Sequence, residues 1–261
     1  MTVIKAESAS FAYPDGTQAL HQISTAIDSG EFAAVIGPNG AGKTTLARLL
    51  CGILAPQSGK VWIDGWDTSQ FPASRLASKV GYVFADPRLQ IFTSSVREET
   101  AFGPNNLGFS PSETEAAVSE ALQVTGLQDK ASAHPYDLSY SERRLLALAS
   151  VIAMRQQAIV MDEPTAGLDG PARRQLQNAL ALLRRRGTAA IIISHDMDFV
   201  ADCCARVLGL KDGRLIADGP CSDVLARAEL FGQELPCAAR LCRASGLPAA
   251  YSAEEFVAAL Q

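Results

Sequence analysis

One eight-residue motif constrains this chain of 261 residues more than any other feature. Residues 37–44 have the sequence GPNGAGKT and match the pattern G-x-x-x-x-G-K-[ST]. They follow a buried-strand pattern at residues 31–36 and precede a helical pattern from Lys43 to about Leu54. Glycines let successive backbone N–H groups turn inward, and the start of a helix adds the positive end of its dipole. The motif therefore predicts a cradle for phosphate groups.

The residues of this loop have separate predicted roles. Lys43 is expected to reach the β- and γ-phosphates of a nucleotide, the Thr44 hydroxyl to bind Mg²⁺, and Thr45 to lie at the α-phosphate. The alternative is a glycine-rich turn without a ligand, which the strand-to-helix context disfavours. The predicted nucleotide-binding residues in the loop are Gly37, Pro38, Asn39, Gly40, Ala41, Gly42, Lys43, Thr44 and Thr45.

A second feature is an apolar strand pattern, residues 158–161, that ends in Asp162 and Glu163. The carboxyl ends of parallel strands form the edge where α/β sheets bind ligands, so both carboxylates are expected beside the phosphates. Asp162 is predicted to orient Mg²⁺ through water, and Glu163 to align and polarise the attacking water. His195, after the strand pattern of residues 189–194, is predicted to hydrogen-bond the γ-phosphate. The alternatives are a structural histidine and acidic residues that simply end a strand.

Composition limits the class of protein. Hydrophobic residues make up 48% and charged residues 20%, as in a globular chain with a large core. The net charge is −5, from 23 Lys and Arg against 28 Asp and Glu, which argues against a nucleic-acid partner. We expect no export signal at the start and no membrane span, since the longest apolar stretch is residues 145–154. The six cysteines form no CxxC pair, so neither a disulfide framework nor a zinc site is expected.

The order of elements predicts an α/β fold. Short apolar runs separated by helical patterns are typical of a parallel sheet covered on both faces. Pro171 suits the first position of one helix and Gly187 its C-terminal cap, with basic residues 184–186 in its last turn. The basic pairs at residues 143–144 and 173–174 are predicted to lie on solvated helix faces or to donate interface salt bridges. The four apolar runs are residues 31–36, 80–84, 158–161 and 189–194.

Three regions depart from this alternation. Residues 3–30 indicate antiparallel strands, and residues 87–155 are mostly helical. Residues 211–214, KDGR, lie between two apolar runs and predict a hairpin turn. After Gly219 the pattern is alanine-rich and helical, with breaks at Pro236 and at residues 246–248.

These elements, in this order, resemble the ATP-binding cassette of ABC transporters over about residues 3–219. The phosphate loop alone indicates only a P-loop NTPase. The further matches are Leu138-Ser139 before a helix, the strand that ends in Asp162-Glu163, residues 166–169 (AGLD) and His195. The resemblance implies a RecA-like parallel sheet core, an antiparallel β subdomain, a helical signature subdomain and a small C-terminal helical extension.

The resemblance also implies ATP and Mg²⁺ as ligands and a nucleotide sandwiched between two subunits, in a homodimer or a heterodimer. The phosphate loop of one subunit would face residues 139–142 of the other, and Tyr13 would stack on adenine. The residues implied at the signature segment and the dimer interface are Ser139, Tyr140, Ser141, Glu142 and Asp169.

A narrower resemblance is to the ATPase subunits of energy-coupling-factor (ECF) importers of vitamins and transition-metal ions. It is carried by residues 11–17 (FAYPDGT), 86–92 (DPRLQIF), 102–108 (FGPNNLG) and the tail at 234–241. It implies two membrane partners, a transmembrane scaffold (T-type) subunit and a substrate-binding subunit, and a peripheral location on the cytoplasmic face of the cell membrane. Residues 86–108 would face the coupling helices of the scaffold.

Three domain boundaries follow from this resemblance. Residues 1–220 are predicted to form the nucleotide-binding domain, with residues 87–155 as its helical signature subdomain. Residues 221–261 are predicted to form a C-terminal extension that pairs ATPase subunits.

Two departures from the family pattern concern catalysis. Members of the family carry a glutamine at the position of Ala85, where it contacts Mg²⁺ and the reaction water, and alanine has no donor or acceptor to do so. Gln90 is a candidate substitute for that glutamine, and Ala85 and Gln90 together are predicted to form the coupling region of the site. The family sequence LSGGQ is replaced by residues 138–142 (LSYSE), in which Ser139 and Glu142 also match a capping box for the next helix.

The predicted function is therefore ATP binding and hydrolysis that energises an ECF-type importer of a micronutrient. Three alternatives stay open: a weakly hydrolysing or regulatory subunit of an asymmetric pair, the ATPase of a conventional ABC importer, and a non-transport ABC protein of DNA repair or the ribosome. The last is disfavoured by the single phosphate loop and the acidic composition.

Overall fold

The computed structural model describes residues 1–260 and is built on two sheets. The strands are β1 Thr2–Ala12, β2 Gln18–Asp28, β3 Phe32–Ile36, β4 Ser58–Ile63, β5 Trp66–Asp67, β6 Val80–Val83, β7 Ala158–Asp162, β8 Ala189–Ile193, β9 Arg206–Lys211 and β10 Arg214–Pro220. The α-helices are α1 Lys43–Leu50, α2 Ala73–Leu76, α3 Val96–Asn106, α4 Pro111–Val124, α5 Tyr140–Ile152, α6 Gly170–Arg185, α7 Met197–Cys203, α8 Cys221–Leu225, α9 Cys237–Ser245 and α10 Ala253–Ala259. Within these residues, no helix combines the length and apolarity needed to cross a bilayer.

The larger sheet has six strands in the order β10-β9-β3-β8-β7-β6. All neighbouring strands are parallel except β9 and β10, which form an antiparallel hairpin. Every residue of β3, β7 and β8 is buried, because both faces of the sheet are covered. The two faces pack into separate hydrophobic clusters, with Ala34 and Ile36 in one and Ala33 and Val35 in the other. The predicted α/β fold with a parallel core is confirmed.

The smaller sheet is antiparallel, in the order β2-β1-β4-β5. Helix α1 contacts strands of both sheets, so the phosphate loop that precedes it lies where the two sheets meet. A tight turn joins β1 to β2, in which Gly16 has a φ of 86° and the Asp15 carboxylate accepts from Thr17 N at 2.9 Å. The antiparallel strands predicted for residues 3–30 are confirmed.

Helices α3, α4 and α5 pack on one another and form the helical region between β6 and β7. Ser110 and Ser139 cap α4 and α5 with complete capping boxes. Helix α3 continues through Pro104, so the Pro/Asn/Gly-rich residues 102–108 are largely helical. After β10 come α8, a 3₁₀ turn (Ala228–Phe231), α9 and α10, and the final residue of the predicted extension, Gln261, lies outside the described residues.

Three helix boundaries differ from the sequence prediction. Helix α1 ends at Leu50 rather than near Leu54, because Gly52 adopts a φ of 69° and its N–H bonds back to the carbonyl of Leu49. Helix α5 ends at Ile152, before the end of the mostly helical region predicted for residues 87–155. Pro171 occupies the second position of α6, because the Asp169 side chain caps the helix one residue earlier by accepting from Ala172 N at 2.9 Å.

Candidate active site

A cavity of about 870 Å³ opens at the carboxyl ends of the parallel strands. The phosphate loop, the end of β7 with Glu163, and the end of β8 with His195 all contribute to its wall, as expected for an α/β sheet. The sequence-predicted residues that line it are Tyr13, Asn39, Gly40, Gly42, Lys43, Thr44, Thr45, Ala85, Asp162, Glu163 and His195. The structure therefore brings together residues as far apart in the sequence as Tyr13 and His195.

The loop needs glycine at two positions where other parts of the chain approach closely. A Cβ added to Gly37 would lie 2.1 Å from the carbonyl oxygen of Leu210, and one added to Gly42 would lie 2.7 Å from that of Ala19. Gly42 also has a φ of 97°, which L side chains rarely adopt. The Lys43 ammonium donates to the carbonyls of Gly37 at 2.8 Å and Pro38 at 3.0 Å. Burial lowers the pKa of Lys43, and the charges of Glu163 and Asp162 oppose that shift.

The Asp162 carboxylate is held by two hydroxyl groups. Its Oδ2 accepts from Thr44 Oγ1 at 3.2 Å and from the Tyr82 hydroxyl at 3.0 Å. A carboxylate beside a hydroxyl, at the end of a phosphate loop, is the set of hard oxygen donors that Mg²⁺ prefers. These residues therefore fit a Mg²⁺ site next to bound phosphates.

Glu163 and His195 face each other across the ends of β7 and β8. Glu163 Oε1 lies 3.5 Å from His195 Nε2, and Glu163 Oε2 accepts from the His195 backbone N–H at 3.3 Å. Glu163 has a φ of 51°, a backbone conformation that is unfavourable for residues other than glycine. Its backbone N–H donates to the Ile193 carbonyl at 2.8 Å. Burial raises the pKa of Glu163. The hydrogen bond from the His195 backbone N–H and the nearby His195 side chain oppose that shift.

Tyr13 also lines the cavity. Its hydroxyl hydrogen-bonds Thr45 Oγ1 at 2.9 Å, and its ring meets Phe11 edge-on at 5.0 Å between centroids. The two residues predicted to hold adenine and the α-phosphate are thus linked to each other.

A buried arginine joins the helical region to the cavity. Arg144 of α5 is 4% exposed, and its guanidinium donates to the carbonyls of Phe84, Ala85 and Glu163. Burial lowers the pKa of this guanidinium, and the surrounding acidic groups oppose that shift. The prediction of a solvated or interfacial basic pair is therefore wrong for Arg144, whereas Arg143 is half-buried with its guanidinium 5.9 Å from the centre of the Tyr136 ring.

Ala85 lines the cavity, but Gln90 does not replace the missing glutamine in this structure. The Gln90 amide Nε2 donates to the Ala147 carbonyl at 2.7 Å and to Ser150 Oγ at 3.0 Å, and its Oε1 accepts from Phe84 N at 3.3 Å. These bonds turn the side chain toward α5 and away from Asp162 and Glu163. The hypothesis that Gln90 substitutes for the family glutamine is corrected on this geometry.

We expect Gln90→Ala to lower the free energy of unfolding by about 1–3 kcal/mol, because its three partners lose their hydrogen bonds. ATP turnover per folded molecule should stay within about twofold of wild type. Urea denaturation and initial hydrolysis rates measure both quantities. A loss of turnover of tenfold or more at unchanged stability would restore a catalytic role for Gln90.

The signature segment lies outside this cavity in the described chain. Ser139 Oγ accepts from Glu142 N at 3.3 Å, and Glu142 Oε2 accepts from Ser139 N at 2.9 Å. An ion pair with Lys130 lowers the pKa of Glu142, so its charge is balanced locally. Ser141 Oγ donates to the Gly167 carbonyl at 3.1 Å, which ties the start of α5 to the loop before Asp169. Tyr140 is 44% exposed, and its ring packs beside Gly167.

Sequence reasoning missed three residues at this site. Arg144 had a signal, because it lies on the helical stripe of Ser141, Leu145 and Leu148, all of them buried. Tyr82 had a weaker signal in the sequence, since its hydroxyl group is the polar group in an otherwise apolar strand pattern. Gln233 bonds His195 Nδ1 at 3.2 Å, and no signal in the sequence indicated this contact. Apart from the Phe231 carbonyl, the partners of its side chain lie 38 or more residues away in the sequence.

The fold and this cavity define a P-loop nucleotide-binding protein, and comparison with known proteins narrows the class. Residues 20–166 match the family model described as ABC transporter. A putative ABC transporter ATP-binding protein of Geobacter sulfurreducens is 42% identical over 88% of this chain and 91% of its own length. The energy-coupling factor transporter ATP-binding protein EcfA of Methanothermobacter thermautotrophicus is 41% identical over 88% of this chain and 74% of its own.

A solved structure gives the same result. That of cbiO1 from Clostridium perfringens, part of the ABC transporter complex cbiONQ, superimposes with a TM-score of 0.78 at 34% identity, over 88% of this chain and 92% of that one. The chain therefore belongs to the ATP-binding subunits of ABC transporters, of the energy-coupling-factor type. Membership of this family makes it an ATP hydrolase. The predicted resemblance to the ATPase subunits of ECF importers is confirmed.

Proposed function

We propose that this chain energises an ECF-type importer of a micronutrient, a vitamin or a transition-metal ion, by binding and hydrolysing ATP. The observation that carries the proposal is the convergence of Lys43, Asp162, Glu163 and His195 on one cavity at the carboxyl edge of the parallel sheet. Phosphoryl transfer to water needs mainly positioning and charge stabilisation, and these groups supply both.

Each of these residues has a role that its position supports. Lys43 neutralises the β- and γ-phosphates, and loop N–H groups with the start of α1 hold the remaining oxygens. Glu163 orients the attacking water and accepts its proton, and His195 donates to the γ-phosphate. Thr44 and Asp162 would hold Mg²⁺, which neutralises charge on the phosphates when it is bound.

The residues outside the cavity support a role for a second ATPase subunit. Ser139, Tyr140, Ser141, Glu142 and Asp169 lie at or before the starts of α5 and α6, where helix dipoles favour an anion. We propose that they face the nucleotide of a partner subunit. The pairing of Glu142 with Lys130 lets the altered segment approach a phosphate without uncompensated negative charge.

An apolar groove of about 600 Å³ supports contact with the transmembrane scaffold. Phe92 and Phe102 line it and are 63% and 47% exposed. A contiguous exposed apolar patch marks a binding surface, and the rings of Phe92 and Phe102 form one, with 4.7 Å between their centroids. Gln90 lines this groove and accepts from Phe84 N, and Arg144 bonds the carbonyls of residues 84–85 and of Glu163. These contacts support transmission of movement from the groove to the cavity.

Two measurements test the proposal. The first is Mg²⁺-dependent ATP hydrolysis by the full chain, which the proposal requires and which a regulatory subunit lacks although it binds ATP. The second is co-purification with an ECF-type scaffold and a substrate-binding subunit. Stable assembly with a conventional permease pair instead would assign the chain to an ordinary ABC importer.

A further inference from the structure

One residue of the C-terminal segment reaches into the cavity wall. Gln233 follows the 3₁₀ turn Ala228–Phe231, is 8% exposed and lies beside both the phosphate loop and His195. Its Oε1 is 3.2 Å from His195 Nδ1, and its Nε2 donates to the carbonyls of Gly37 at 3.1 Å and Phe231 at 3.3 Å. Gln233 therefore links the first residue of the phosphate loop to the histidine at the end of β8.

These contacts fix which end of the amide faces the histidine. Carbonyl oxygens only accept hydrogen bonds, so the two carbonyls require the NH₂ group of Gln233 on their side. The opposite atom, Oε1, is then an acceptor, and His195 Nδ1 has to carry the hydrogen. The geometry thus selects the tautomer of His195.

The selected tautomer determines what the other ring nitrogen does. With hydrogen on Nδ1, the neutral ring has a bare Nε2, which is 3.5 Å from Glu163 Oε1. A hydrogen bond from Nε2 to an anionic oxygen then requires the doubly protonated ring. The Gln233 Oε1 accepts from Nδ1–H in the neutral ring and in the doubly protonated ring alike.

The segment that carries Gln233 is anchored firmly enough for such a role. Phe231 is 2% exposed and fills the space over Gly209 of β9, where an added Cβ would lie 2.3 Å from the ring. Gly232 follows with a φ of 64° and packs beside Pro38. The Gln233 backbone N–H donates to the Ala228 carbonyl at 3.1 Å.

We infer that Gln233 is a positioning residue that holds His195 with its hydrogen on Nδ1, so that His195 contacts the γ-phosphate from Nε2 as a cation. ATP hydrolysis therefore depends on the chain beyond β10 being docked on the phosphate loop. The inference rests on the proposed role of His195 in hydrolysis.

The first test observes the tautomer directly and needs no turnover. In the full chain with ¹⁵N-labelled histidine, the His195 signals are assigned by their loss in His195→Ala, and spectra are recorded about two pH units above the ordinary histidine pKa. We expect Nδ1 to resonate as the protonated nitrogen in wild type and in Gln233→Glu, which keeps an acceptor. Gln233→Met, of similar size, should shift the population toward hydrogen on Nε2. An Nε2–H form in wild type, or no change in Gln233→Met, overturns the inference.

The second test asks whether Gln233 acts through His195. We expect Gln233→Met to lower kcat about tenfold with the KM for ATP within about twofold, the size of one hydrogen bond. In a His195→Ala background the same substitution should have no further effect, and an equal loss in both backgrounds contradicts the inference. Glu234→Gln is the matched control at the next residue. The Glu234 carboxylate is 85% exposed and bonds only Arg240 among the described residues. Unchanged hydrolysis in His195→Ala alone contradicts the proposed function instead, and the tautomer result stands separately.

Discussion

Glu163→Gln is expected to lower kcat for ATP hydrolysis by at least about 100-fold, because glutamine cannot accept a proton from the attacking water. ATP binding should persist, since Lys43 and the loop N–H groups are untouched. Glutamine has nearly the shape of glutamate and keeps an acceptor for the His195 N–H, which the carboxylate now bonds at 3.3 Å. The fold should therefore tolerate the substitution.

Phosphate release and equilibrium binding of a labelled ATP analogue measure the two quantities. The control is Glu120→Gln, which makes the same change in a carboxylate that pairs with Arg186 at 2.5 Å, beside the amino ends of β7 and β8. Hydrolysis that survives in Glu163→Gln at more than a tenth of the wild-type rate would show that another group activates the water. A wild-type chain that binds ATP without hydrolysing it would favour the regulatory subunit.

Arg144→Met is expected to reduce the free energy of unfolding by about 3 kcal/mol, because three half-buried carbonyls lose their donor together. Methionine fills much of the space of the arginine stem, so the loss reports the guanidinium bonds rather than a cavity. The carbonyls belong to Phe84, Ala85 and Glu163, which follow two different strands. We also expect turnover to fall, since Glu163 loses a backbone restraint at a strained φ of 51°.

Chemical denaturation followed by circular dichroism measures the stability, and hydrolysis assayed well below the transition measures turnover. Arg143→Met is the matched control on the same helix, since its guanidinium packs over the Tyr136 ring and is half-buried. Equal stability of the two variants would mean that the hydrogen bonds of Arg144 contribute no more to the free energy of unfolding than the half-buried Arg143 does.

Local patterns in the sequence predicted most of the sheet. Runs such as residues 189–194 are uniformly apolar, and the structure buries all of β8, because a strand covered on both faces has no polar side. The phosphate loop was equally clear, since the spacing of its motif and the strand and helix patterns beside it are local in the sequence, although Gly37 and Gly42 also have to admit the distant carbonyls of Leu210 and Ala19. Helix α1 ends at Leu50, before the predicted Leu54, because Gly52 adopts a left-handed φ of 69°.

The sequence by itself determined the sheet, the phosphate loop and the order of Asp162, Glu163 and His195, because spacing along a strand or a helix fixes which side chains reach its end. Only the tertiary structure decided the partners of Gln90, Arg144 and Gln233. A buried polar side chain must find a hydrogen-bond partner, but that partner is set by which segments pack together. Gln90 and Gln233 have equal capacity for hydrogen bonds, yet only Gln233 lies against the phosphate loop.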